Sequence, residues 1–256
     1  MPLAAQNTLS GSPLLRLRRA AGAVAVAVGL VLLLAAAGVA ARMGWSAAYA
    51  AQCLAVYGLG AACMLVGLRG HAPHARFGAA NVLTLLRLAM IALLAGLVGR
   101  PMPGDAAPLA WAVVVFATTT AVLDAADGPL ARSQRLASEF GARFDMECDA
   151  LLVAVLCLLL VQFDKAGPWV LAAGAMRYAF VLAGRAWPWI DRPLFPSWRR
   201  KAVCVAQITL LIVCLGPVIA RPASQAIAAV GLAMLGASFF VDLLWLYRRR
   251  STELQI

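Results

Sequence analysis

Four aspartates form two closely spaced pairs in a short polar stretch between two long apolar runs. Asp124 and Asp127 are three positions apart, and Asp145 and Asp149 are four positions apart. On a helix, either spacing places both side chains on the same face. Glycine and proline residues between the two pairs predict a turn, Asp127–Arg143, that makes the flanking helices antiparallel neighbours. The sequence therefore predicts that the four carboxylates converge at one depth.

Carboxylates gathered this closely need a compensating cation, because like charges in a partly dry site cannot all stay ionised. Carboxylate oxygens suit hard divalent ions such as Mg²⁺ or Mn²⁺. Two such ions would form a paired-metal site, which is a known solution for attack at a phosphorus atom. The plainer alternative is a set of solvated acids at helix ends, where Asp145 and Asp149 lie near a favourable helix N-terminus. Two same-face pairs flanking one turn favour the metal site.

The rest of the chain has the composition of a membrane protein. Of 256 residues, 63% are hydrophobic and 13% are charged, and the mean hydropathy is +0.86. A bilayer is crossed by about 20 mostly apolar residues in a helix, and the apolar runs lack the alternation of a membrane barrel. The sequence therefore predicts an all-α integral membrane fold with about eight transmembrane helices. The predicted spans are Ala20–Ala41, Ser46–Leu68, Asn81–Val98, Leu109–Ala126, Phe144–Phe163, Pro168–Leu182, Ala202–Ala220 and Ala223–Tyr247.

Basic residues concentrate on one predicted side of the membrane. This asymmetry assigns that side to the cytoplasm, with both termini and the aspartate stretch, and fits a bacterial inner (plasma) membrane. The net charge of +11 is then explained by orientation and by attraction to anionic membrane lipid, so it calls for no nucleic-acid partner. The few basic residues assigned to the opposite side are Arg42, Arg100, Lys165 and Arg221.

Five basic residues are candidates for binding a phosphate group. Arg87 and Arg177 fall inside predicted spans, where a charge is costly and usually functional. We expect at least one of them to bind an anionic acceptor or the donor phosphate, the alternatives being pairing with the aspartates or snorkelling. Arg199, Arg200 and Lys201 precede the seventh span and are either acceptor-binding residues or a plain positive-inside anchor.

The cysteines and histidines indicate no second site. The six cysteines lie mostly in apolar runs without a C-x-x-C pair, which is typical of small buried side chains. His71 and His74 form an H-x-x-H pattern that is too common to indicate a metal site.

The aspartate stretch resembles the signature of the CDP-alcohol phosphotransferases, also called CDP-alcohol phosphatidyltransferases. An upstream segment is similar to the N-x-L-T-x-x-R opening of that family's first core helix. The resemblance covers about residues 80–247 and implies a six-helix catalytic core, 80–256, after an N-terminal tail and two accessory transmembrane helices, 1–79. The matching residues are Asp124-x2-Asp127-Gly128-x2-Ala131-Arg132-x8-Gly141-x3-Asp145-x3-Asp149 and Asn81-x2-Thr84-x2-Arg87.

Members of this family move a substituted phosphate from a CDP-linked donor to an alcohol and release CMP. The resemblance implies that Asp124, Asp127 and Asp145 bind two divalent ions, Mg²⁺ or Mn²⁺. Asp149 would complete the acidic cluster as a fourth metal ligand and act as the base on the acceptor hydroxyl. A homodimer is also implied. For Thr84, the alternative is a bond to its own helix backbone. The residues expected at the CDP moiety are Asn81, Thr84, Asp124, Gly128, Ala131, Arg132 and Gly141.

The acceptor stays open on sequence grounds. Glycerol 3-phosphate, inositol 1-phosphate, inositol and serine are all used within the family. The many arginines on the cytoplasmic side favour a phosphorylated acceptor, glycerol 3-phosphate first, with CDP-diacylglycerol as the lipid donor in phospholipid synthesis.

The rival class of protein is a cation-coupled membrane transporter. A transporter predicts ionisable groups near the middle of the bilayer and broken helices in both halves of the chain. Here the acids gather at one face and in one ordered motif, which favours the enzyme.

Overall fold

The computed structural model describes residues 11–71, 76–133, 136, 138–190, 192 and 197–250. Over these residues the chain forms eight α-helices, two short 3₁₀ turns at Leu68–His71 and Pro168–Val170, and no β-strand. The predicted all-α class is therefore confirmed. The helices are α1 (Gly11–Met43), α2 (Ala48–Gly67), α3 (Ala79–Gly96), α4 (Ala107–Ser133), α5 (Glu139–Gln162), α6 (Leu171–Ala186), α7 (Trp198–Leu215) and α8 (Ala223–Arg250).

Each predicted span coincides with one of these helices, and the protein is an integral membrane protein. In the described part of the chain, five helices are long and apolar enough to cross a membrane by length and composition: α1, α2, α3, α4 and α8. The other three fall short for local reasons. Helix α6 has only 16 residues, α7 begins with a basic cluster, and α5 carries acids in its first half. The acids of α5 include Asp145 and Asp149 of the predicted site.

The predicted turn between the aspartate pairs was too long. Helix α4 continues through Gly128 and Pro129 to Ser133, and Gly141 lies inside α5. Proline removes a single backbone donor from a helix, and the leucine, alanine and arginine that follow it are good helix formers. Helix α4 therefore ends at Ser133, and α5 begins at Glu139.

The chain forms two compact units, and α4 and α5 contribute to both. The first unit runs to Arg100 and includes Thr119–Cys148. In it, the Tyr57 hydroxyl donates to the Ala25 carbonyl at 2.8 Å, which joins α2 to α1. Gly96 fits against α2 so closely that a Cβ there would lie 2.4 Å from Cys53 Sγ. Small residues of this kind let membrane helices approach each other.

The second unit comprises Pro101–Thr118 and the chain from Asp149 onward. In this unit Lys165, which follows α5, contacts the segment that follows α7. Its Nζ donates to the carbonyls of Gly216 at 3.0 Å and Ile219 at 2.7 Å. The expectation of buried cysteines holds for Cys53, Cys148, Cys157 and Cys214, whereas Cys63 is exposed and Cys204 is half-buried.

Candidate active site

Helix α5 starts at a side-chain cap that fixes the position of the second aspartate pair. The Gly141 N–H donates to Ser138 Oγ at 3.1 Å, which satisfies one of the donors that a helix leaves open at its N-terminus. Asp145 and Asp149 follow on this uninterrupted helix one turn apart. Residues four apart on one helix share a face, so the helical placement that the spacing assumed is confirmed.

A fully buried arginine joins the two aspartate-bearing helices in the first unit. Arg87 Nη1, from α3, lies 2.7 Å from Asp124 Oδ1 and 2.5 Å from Asp145 Oδ1. Its Nε donates to the Thr120 carbonyl of α4 at 3.3 Å. Pairing with the aspartates was the predicted alternative to phosphate binding, and it is the arrangement in this structure. A phosphate role for Arg87 stays a prediction.

Asp124 and Asp145 are candidate ligands for a cation. Their nearest ligand oxygens lie within 4.8 Å of each other, and two oxygens on one Mg²⁺ ion are at most about 4.2 Å apart. Asp124 Oδ1 is buried, and among the described residues it lies 2.7 Å from the Arg87 guanidinium. A carboxylate has two oxygens and about four lone-pair sites, so it can bind a cation in addition to a neighbouring guanidinium. These residues therefore fit a divalent ion, and Asp149 lies one turn along α5.

The second half of the α4 motif lies outside the side chains that the structure describes. Asp127, Gly128, Ala131 and Arg132 belong to the last turns of α4. Their roles in metal and CDP binding stay predictions.

The upstream motif residues lie where α3 begins. Asn81 is buried and its Nδ2 donates to the Phe77 carbonyl. Thr84 Oγ1 donates to the Ala80 carbonyl at 3.1 Å, a bond within its own helix that was the predicted alternative to nucleotide binding. A Cβ on Gly141 would lie 3.1 Å from Asn81 Oδ1. Glycine at 141 therefore permits a close approach between the starts of α3 and α5, and the nucleotide roles stay predictions.

Replacing Gly141 with valine should destabilise the first unit by about 1–3 kcal/mol, because the added methyl groups would collide with Asn81 and Ser138. Thermal unfolding in detergent measures the loss. Gly22→Val is the matched control, since a Cβ at Gly22 meets nothing within 4 Å. Equal melting temperatures for the two variants would contradict the close packing.

The four acceptor candidates other than Arg87 lie in the second unit, and one of them is held by α8. Arg199 Nη1 donates to the Ser238 carbonyl at 2.8 Å, and Nη2 forms an ion pair with Asp242. Arg200 Nη1 lies 3.9 Å from Asp242 Oδ2. Lys201 is exposed and Arg177 is half-buried on α6. The structure thus gives Arg199 a packing partner, and acceptor binding by these residues stays a prediction.

Sequence reasoning missed three residues that contact candidate site residues. Asp242 pairs with Arg199, and the signal was available because an acid within an apolar span is usually functional. Cys204 Sγ lies 3.9 Å from Asp149 Oδ2, which no spacing rule predicts. Ser138 caps α5, and a serine three residues before Gly141 is a recognisable cap signal.

An acidic site on membrane helices defines a class of protein, and comparison with known proteins identifies the family. Residues 77–240 match the family model described as CDP-alcohol phosphatidyltransferase. The chain belongs to this family, as its aspartate motif predicts.

Two groups of relatives share part of the chain. The CDP-diacylglycerol–glycerol-3-phosphate 3-phosphatidyltransferase of Bacillus subtilis (strain 168) is 36% identical over 105 residues, which cover 37% of this chain and 53% of that protein. Proteins named probable phosphatidylglycerophosphate synthase in two Mycobacterium tuberculosis strains are 40% identical over 93 residues, 36% of this chain and 43% of theirs. The chain thus spans about half the length of the curated relatives it matches. No solved structure matches it.

Proposed function

We propose that this protein transfers the phosphatidyl group of CDP-diacylglycerol to glycerol 3-phosphate and releases CMP. The observation that carries the proposal is the acidic pair Asp124 and Asp145, joined by buried Arg87, with Asp149 on the next turn of α5. The names of the bacillary and mycobacterial relatives support the choice of donor and acceptor.

The proposed reaction assigns two tasks to the acids, proton transfer and ion binding. Asp149 takes the proton from the acceptor hydroxyl. The hydroxyl oxygen then attacks the phosphorus that bears the diacylglycerol group, and the bond from that phosphorus to the bridging oxygen breaks. That oxygen leaves with CMP, so the acceptor gains the phosphatidyl group. Divalent ions on Asp124, Asp127 and Asp145 would supply the positive charge that neutralises the diphosphate.

The remaining chain residues are proposed to seat the two substrates. Asn81, Gly128, Ala131 and Arg132 would hold the CDP moiety, with Arg132 forming charge-assisted bonds to the diphosphate. The acceptor phosphate would bind to the arginine and lysine candidates. These are Arg177, Arg199, Arg200 and Lys201.

The distribution of basic residues supports an orientation for the site. We place both termini and the aspartates at the cytoplasmic face of a bacterial inner membrane. At this depth the acyl chains of the donor stay in the bilayer while its nucleotide lies in the headgroup layer, and the polar acceptor arrives from water. We further propose that residues 80–256 are the catalytic core of a homodimer and that 1–79 are accessory.

The test incubates purified protein with CDP-diacylglycerol, Mg²⁺ or Mn²⁺, and one acceptor at a time while CMP release is followed. We expect release with glycerol 3-phosphate to exceed release with inositol 1-phosphate, inositol or serine, and EDTA to stop it. Preference for another of these alcohols would refute the acceptor and keep the reaction. Absence of CMP with every acceptor would count against the phosphatidyltransferase itself.

A further inference from the structure

His71 is buried at the end of the accessory helix pair and has a partner for each ring nitrogen. It ends the 3₁₀ turn after α2 and has no exposed surface. Nε2 lies 2.8 Å from the Arg76 carbonyl, and Nδ1 lies 2.8 Å from Ser138 Oγ. A carbonyl only accepts, so Nε2 carries the ring proton, and Nδ1 of the neutral ring accepts from the Ser138 hydroxyl.

The hydroxyl of Ser138 connects this histidine to the start of α5. Ser138 Oγ accepts from the Gly141 N–H at 3.1 Å while its own proton points to His71. The result is a directed chain of hydrogen bonds from Gly141 through Ser138 and His71 to the Arg76 carbonyl. Bonds arranged in one direction polarise one another, so the cap of α5 is strengthened by a residue of the N-terminal segment.

Packing brings the same two elements together. The rings of His71 and Phe140 meet edge to face with centroids 5.6 Å apart. A Cβ on Gly67 would lie 3.3 Å from the Phe140 ring, so the end of α2 lies directly against the first turn of α5. Phe140 in turn stacks on Phe144, the residue before Asp145, with centroids 6.1 Å apart.

We propose that His71 is a positioning residue for the reaction, acting through Ser138 on the start of α5. It fixes the first turn of the helix and thereby the direction in which Asp145 and Asp149 point. The accessory pair α1 and α2 is then part of the catalytic architecture rather than an appendage. The expected effect of His71 on catalysis rests on the proposed function. The mechanical coupling, by which His71 and Ser138 hold the first turn of α5 in place, does not.

Three substitutions of His71 distinguish the hydrogen bond at Nδ1 from the hydrogen bond at Nε2. The amide of asparagine falls near the position of Nδ1 and keeps the contact with Ser138, whereas the amide of glutamine falls near Nε2 and loses it. We expect His71→Ala and His71→Gln to lower kcat roughly tenfold with little change in the KM for the donor, because misplaced catalytic groups slow the chemical step. His71→Asn should keep most of the wild-type kcat.

Tyr57→Phe is the matched control. It removes a buried hydrogen bond between α2 and α1 without touching the cap of α5, so we expect wild-type kcat. An equal loss of kcat in Tyr57→Phe, or in all three His71 variants alike, would show general destabilisation and overturn the positioning role.

Hydrogen exchange of the segment 138–150 tests the coupling without turnover. The backbone amides of the first turn of α5 should exchange faster in His71→Ala and His71→Gln than in wild type, His71→Asn or Tyr57→Phe. Unchanged exchange in His71→Ala would refute the proposal even if the enzyme is active. If His71→Ala exchanges faster than wild type but the wild-type protein releases no CMP, the proposed reaction is refuted and the mechanical coupling stays in place.

Discussion

Replacing Asp149 with asparagine should reduce CMP release by at least about a hundredfold, because a positioned general base contributes a factor of this size or more. The amide keeps the shape of the side chain but does not take the proton of the acceptor hydroxyl. The rate of CMP release with saturating CDP-diacylglycerol and glycerol 3-phosphate measures the effect.

Glu147→Gln is the matched control for this substitution. Glu147 is exposed on the same helix, two residues before Asp149, and its neutralisation alters the charge of α5 by the same amount. We expect nearly wild-type turnover from it. A comparable loss in Glu147→Gln would point to the charge of α5 as a whole rather than to one base.

Titration with Mn²⁺ separates the base from a metal ligand. If Asp149 acts only by binding the ion, the variant should recover its rate as Mn²⁺ is raised, because a weakened site is filled by mass action. A base cannot be replaced in this way, so we expect no recovery. Near-normal turnover of Asp149→Asn, with or without added Mn²⁺, would disprove the assignment.

The sequence predicts the helices of this protein well because the bilayer imposes a length and a composition on each of them. The same reasoning misplaced the turn between α4 and α5. Gly128 and Pro129 are strong turn signals in water, but here α4 continues past them to Ser133. Single-residue propensities are weak and are overridden when their neighbours favour a helix.

The candidate site was predictable in its spacing and not in its long-range partners. Asp145 and Asp149 share a face because they are one turn apart, which the spacing alone gives. The contacts of Arg87 with Asp124 and Asp145 join residues that are 37 and 58 positions apart in sequence. Such contacts depend on how α3, α4 and α5 pack, and neither periodicity nor charge count determines that packing. The same is true of His71 and Ser138.

Arg87 lies where the negative charge of Asp124 and Asp145 needs a counter-ion before a metal ion binds. Its guanidinium has no exposed surface and lies within 2.7 Å of both Asp124 and Asp145. The two carboxylates, whose nearest oxygens lie within 4.8 Å of each other, repel each other strongly where water is scarce. The structure supplies the compensating charge from α3, so Arg87 acts as an internal counter-ion for the carboxylates.

Arg87→Met should therefore destabilise the metal-free protein by about 3–5 kcal/mol, the usual cost of removing one partner from a buried ion pair. The methionine side chain fills similar space without the charge. Thermal unfolding in detergent with EDTA measures the loss. Addition of Mg²⁺ or Mn²⁺ should raise the melting temperature of the variant more than that of wild type, because the ion then supplies the missing charge.

Arg199→Met is the matched control for the role of the ion. Arg199 also pairs with an aspartate, Asp242, but its side chain is 35% exposed and Asp242 is not among the predicted metal ligands. We expect a smaller loss of stability in this variant and no additional gain with Mg²⁺ or Mn²⁺. If Arg87→Met melts like wild type in EDTA, or if both arginine variants respond equally to the ion, the guanidinium is not the counter-ion of the acidic cluster. If the predicted difference is found, α3 has two tasks. It holds Asp124 and Asp145 together before the ion arrives, and it must share them when the ion binds.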